Sequence, residues 1–390
     1  MKCAALFSLV ALGAAATGCL GGGNGGGGTA ASAGNGGVGG QGGAGGLGGA
    51  QTSGLPLLGS GQHSKSSVQI DVVATSADGI DNPRDLAFNP QVPGELWVLN
   101  RSASVAIIRN AGTPAQDVSV RSGPGGTHFM AKPSALAFGA PGTMATAQEE
   151  DQITQPSTPA EFMGPTLWST EYGTFNAGHA SHIDMLHNSP RATGIAWDAD
   201  NVFWVFDGMH GSITRYEFGA DHGPGGADHS DGVVKRYVDG QVAGVPNVPS
   251  HMELDHSTGL LYASDSGNSR IVVLDTNTGS QGAAITPNFD GTKQFFMDGA
   301  TITTVVEGAQ FGLIQPAGLA LQGGYVFVSD HANSKISAFT LTGQLVDWLE
   351  TGLPPNSVTG LAFDDEGRLY VTDVTGHQVL RISAYPATSR

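Results

Sequence analysis

The residues from Asp221 to Gly232, "DHGPGGADHSDG", place two Asp-His pairs on either side of a Gly-Pro turn and add a third carboxylate. A tight turn at Gly223–Gly226 would bring Asp221 and His222 beside Asp228 and His229, with Asp231 near. Mixed nitrogen and oxygen donors suit Zn, Mn or Fe better than Ca, which prefers oxygen alone. Asp, Gly, Pro and Ser are equally the residues of an exposed turn, so a solvated loop is the competing reading. A second concentration of such groups precedes it in "HASHIDMLHNSPR", with His182, Asp184 and His187. A third is "FDGMHGS", which carries Asp207 and His210.

What these groups can do depends on the elements that hold them. From about Leu55 onward helical periodicity is weak, and short β-rich segments recur. One pattern returns six times: a Pro or small residue, a Leu-Ala-Phe-like strand, a turn, a second apolar strand often ending in Asp, a polar turn and a third strand. The copies begin with "NPRDLAF", "KPSALAF", "RATGIAW", "VPSHMEL", "QPAGLAL" and "SVTGLAF", and their first strands centre on Leu86, Leu136, Ile195, Met252, Leu319 and Leu361.

These units resemble NHL repeats, most closely in "VSDHANSKISAF" and "VTDVTGHQVLRI"; "ATAQEE" in the second copy departs most. The resemblance implies an all-β, six-bladed β-propeller over residues 55–390, each blade a four-stranded antiparallel sheet. "SSVQIDVVATS" alternates Val68, Ile70 and Val72, and is expected to supply the outer strand of the last blade and so lock the ring. In such a ring the loops entering the inner strands share one rim with the turns after the second strands. That rim would gather Glu149, Asp207, Asp265, Asp330 and Asp373, then His210, His331 and His377, with Arg84, His128, His187 and His251 from the entering loops. Imidazoles and carboxylates converging on one mouth suit a metal site or an acid–base pair, which makes Glu149, His187, Asp207, His210 and His251 the candidate catalytic residues. Asp at the end of a second strand is equally suited to capping the next turn. His251 stands out, because the other copies place Asp85, Ala135, Gly194, Gly318 and Gly360 at its position, and an imidazole there should point into the channel. The Asp221–Asp231 loop crosses the opposite rim, so a metal there would pin a long loop.

The N-terminus sets the expected compartment. Lys2 precedes an apolar run, Leu6–Ala16, that is too short to span a bilayer. "ATGC" follows, resembling a bacterial lipobox, with residues 1–18 the signal and Cys19 the lipidated residue. By the sorting pattern of such lipoproteins, Leu20 implies the outer membrane or cell surface. Residues 19–54 then read as a lipid-bearing, Gly-rich linker, too poor in apolar side chains to fold. As a flexible coil of roughly 35 residues it would reach ~30–35 Å. Cys3 would leave with the signal, so the exported body would hold no disulfide.

A net charge of -17 argues against nucleic acid and against docking on anionic lipid. There is no Gly-x-Ser-x-Gly elbow, P-loop or His-Glu-x-x-His, and no organic cofactor is indicated. The expectation is a monomeric module that binds a protein, glycan or small molecule, with a divalent metal as its candidate cofactor. The alternative is a metal-dependent propeller lyase or hydrolase working at the channel mouth. Peptidyl-α-hydroxyglycine lyases are similar in blade pattern, but Pro249-Ser250-His251 shifts their histidine by one place, so their zinc site is not carried over.

Overall fold

A computed structural model describes residues 54–122, 129–151, 159–175, 182–226 and 228–386. The expected signal, Cys19, nearly all of the expected linker and His128 lie outside the described residues. Among those described, no helix is long and apolar enough to cross a membrane.

Each repeat copy becomes one sheet. The six inner strands are Pro83–Phe88, Pro133–Phe138, Ala192–Ala199, Met252–Asp255, Pro316–Gln322 and Val358–Phe363, for blades one to six. They hold every residue on which the first strands were centred. Second strands such as Leu96–Asn100 and Thr143–Gln148 are buried along their whole length. That explains why they read as continuous apolar or small runs: a blade has a neighbour on both faces, so neither face can be polar.

Six apolar clusters fill the six interfaces between blades. Trp97, Leu99, Met144 and Trp168 join blades one and two, for example, and Leu96, Val98, Tyr370 and Val379 join six and one. Val68–Ala74 pairs antiparallel with Gln378–Ala384, with Val68 opposite Ala384 and Val72 opposite Leu380. The outer strand of blade six therefore comes from the start of the body, as expected, and the ring is closed.

Blade three departs from the four-stranded expectation. The connection between the third and fourth strands of blade four carries a hairpin, Ser280–Ala284 and Lys293–Asp298. It crosses to blade three, where Lys293–Asp298 pairs in parallel with the outer strand Val233–Tyr237, and the sheet grows to six strands. The pairing hides an edge that would otherwise present free N–H and C=O groups. Arg236 adds to it, its guanidinium 5.6 Å from the Phe296 ring centroid.

Candidate functional site

The ring makes the inner strands line a common channel. Leu86, Leu136, Ile195, Met252, Leu319 and Leu361, one residue from each blade, form an apolar collar around a cavity of about 220 Å³. Three ionisable side chains break this sixfold equivalence, and they come from two facing blades. Asp85 stands on blade one; His251 and Glu253 stand on blade four. At the matching position the other blades are small for a physical reason. A Cβ on Gly194 would lie 1.9 Å from the Ser250 carbonyl oxygen, one on Gly318 1.9 Å from that of Thr359, and one on Gly360 2.8 Å from the Asp85 Cα. The crowding excludes larger side chains at these three positions.

His251 crosses the channel. Its Nδ1 lies 3.3 Å from Asp85 Oδ1, and its Nε2 donates to the Ser134 carbonyl at 3.3 Å. A carbonyl only accepts, so Nε2 carries a hydrogen, and an attractive contact on the other side needs a proton on Nδ1 or on the carboxyl. Asp85 accepts the backbone N–H groups of Leu86 at 2.8 Å and Leu136 at 2.9 Å. Burial nevertheless pushes its carboxyl above the usual range, against the opposing pull of His251.

Glu253 lies two residues along the same strand and therefore on the same face. It projects into the lumen, where channel water reaches the side chain although protein surrounds it. Among the described residues its carboxyl has no hydrogen-bond or ion-pair partner. It is pushed up from 4.5 to about 7, by burial first and by the Asp85 charge second.

A raised carboxyl pKa means that the folded chain holds a proton the unfolded chain has released. The corresponding stability is complete below 4.5, is lost as pH rises towards 7 and does not return above it. Glu253→Gln is therefore expected to be more stable than the parent at about pH 8 and to lose that advantage by about pH 5, read as the difference in Tm between the two chains.

Towards the first rim a bridge of hydrogen bonds spans the channel. Asn247, on the segment entering blade four, reaches across to blades one and two. Its N–H donates to Glu149 Oε1 at 2.5 Å, its side-chain oxygen accepts from Arg101 at 2.9 Å, and its carbonyl accepts from Arg84. Arg101 also pairs with Glu149 at 2.7 Å. Burial, reinforced by the Arg101 charge, lowers the Arg84 guanidinium to about 10. Opposite this arch the cavity opens at the other rim, among Phe88, Pro90, Phe138, Trp197 and His256.

The five candidate catalytic residues do not share one centre. Glu149 holds the arch. Asp207 accepts the N–H groups of Met209 at 3.0 Å and His210 at 2.9 Å, and pairs with the His210 ring at 2.7 Å. Asp265, Asp330 and Asp373 likewise accept from loop backbone, at Ala243, Ile314 and Gly376. Asp207, Asp330 and Asp373 accept N–H groups of the turn that follows, whereas Asp265 accepts none from its own turn and is held instead by Asn268, Arg270 and the Ala243 N–H. His187 lies off the channel, 2.5 Å from Asp290 of the inserted hairpin and stacked on Phe162. Of the five, His251 alone enters the cavity.

The Asp-His loop also makes separate contacts. Asp221 accepts from Gly223 N–H and Asp228 from Ser230, while His222 lies 3.0 Å from Asp231. The His222 ring is raised above its usual value, first by that Asp231 contact. His229 turns away to Asp184 of blade two. Among the described residues no group of three or more His, Cys, Asp or Glu is disposed to hold a metal ion.

The chain is a six-bladed β-propeller whose central channel carries ionisable side chains. No family model matches the sequence, and no curated protein does. Solved structures do. An auxiliary nutrient binding protein from Bacteroides thetaiotaomicron is 12% identical over 77% of this chain and 68% of its own, with a TM-score of 0.52. Luciferin-regenerating enzyme is 12% identical over 82% and 96%, TM-score 0.51, and streptogramin B lyase 11% over 81% and 97%, TM-score 0.50. At such identities the likeness is one of fold.

Proposed function

We propose that this chain is an exported, lipid-tethered propeller that captures a small ligand in its central channel. The observation that carries the reading is the placement of Asp85, His251 and an unpartnered Glu253 inside an otherwise apolar collar. A carboxyl surrounded by protein and left unpaired is held at a cost, and a site that binds is where such a cost is recovered. Propellers host many activities, and the neighbours described as a nutrient binding protein and as a lyase illustrate that range without choosing between them. Binding is favoured over catalysis because the carboxylates and imidazoles of the first rim are engaged in capping turns and holding the Asn247 arch. The lipobox at Cys19 and the Gly-rich segment supply the tether in this reading.

The test is a thermal-shift screen of the compact unit Thr52–Arg390 against a small-molecule library. Ligands that stabilise the parent are expected to lose their effect on the Asp85→Asn/Glu253→Gln double variant and to keep it on Asp228→Asn. Stabilisation that survives the double variant would place binding outside the channel and refute the reading.

A further inference from the structure

The geometry points to a small organic ammonium ion as the ligand of the channel, an assignment that rests on the channel being the binding site. Three other ligand classes each conflict with some feature of the cavity. An anion would face two carboxyl groups. A neutral polyol would leave the unpaired Glu253 carboxyl without a counter-charge. A Ca ion needs six to eight oxygens. Both Asp85 oxygens already accept backbone N–H groups, and Glu253 alone cannot complete such a shell.

An ammonium ion requires less and finds it. One unpaired carboxylate balances its charge, and alkyl substituents rest against the collar. At the open end, Phe88 and Trp197 are half-buried and Phe138 is 8% exposed, so aromatic rings border this entrance. Cations are attracted to the faces of such rings, Trp most strongly. Facing blades supply the two kinds of contact at different depths, with the carboxyl inside and the aromatics at the lip.

Titration calorimetry of Thr52–Arg390 with choline, ethanolamine, glycerol and calcium chloride tests this. Choline or ethanolamine is expected to bind, with affinity about tenfold lower or more in Glu253→Gln and about threefold lower or more in Trp197→Ala. Glu253→Gln removes an unpaired charge and keeps the shape; it and Trp197→Ala are each accepted only if their Tm shows a folded ring. Binding of glycerol or calcium alone, abolished by Glu253→Gln, would overturn the ammonium assignment and leave the channel as the site. Ammonium binding unchanged in Glu253→Gln, or no binding of either ammonium compound, would overturn the assignment as well. Failure of the channel itself is read separately, from library ligands that ignore the double variant.

Discussion

A chain from which Val68–Ala74 has been deleted will not form a stable ring. That strand is paired along its length with Gln378–Ala384, and Val68, Val73 and Ala74 are buried. Its removal strips blade six of its outer strand and takes Val73 and Ala74 from the cluster joining blades six and one. A fully buried Val or Ile is worth roughly 1.5–3 kcal/mol, and each ladder hydrogen bond about 1 kcal/mol. The total is on the order of 10 kcal/mol, as large as the whole stability of an ordinary domain. Circular dichroism and gel filtration should report an expanded or aggregated chain without a cooperative melt. A compact deletion variant with a sharp transition would mean that the ring does not depend on this closure.

The second large effect is expected at the channel axis. In Gly194→Ala the new methyl carbon would stand 1.9 Å from the Ser250 carbonyl oxygen, and that backbone is fixed because Ser250 N–H donates to the Thr193 carbonyl at 2.9 Å. Relief requires inner strands of adjacent blades to separate, which the closed ring resists. The loss is about 3 kcal/mol, at the high end for overpacking, and urea unfolding would measure it. Gly173→Ala is the control: nothing lies within 4 Å of its new carbon, and the residue is helical, so it should be neutral or stabilising by up to ~1 kcal/mol. A Gly194→Ala chain as stable as the parent would contradict the crowding said to exclude larger side chains at this position.

Much of the architecture can be read from the residues alone, because every blade repeats one apolar rhythm and the alternation of Val68, Ile70 and Val72 marks the closing strand. The added hairpin of blade three cannot. One of its strands pairs in parallel with the outer strand of the preceding blade, and nothing local in "SQGAA" or "KQFFMD" specifies that partner. The site was legible in part. His251 is conspicuous by position, and Glu253 could have been found with it from the two-residue period of a strand. The acids after the second strands look the same whether they cap a turn or hold a ligand. The choice belongs to the turn backbone, which offers its N–H groups to Asp207 and Asp330 before any ligand arrives.

The bridge formed by Asn247 with Arg84, Arg101 and Glu149 has a kinetic consequence. A passage bridged at one rim is a poor conduit, and a ligand that enters at the other leaves the way it came. Uptake and escape then share one bottleneck, so a change that only narrows the doorway should slow both rates together, whereas loss of a ring that touches the ligand there, such as Trp197, should also weaken the equilibrium affinity.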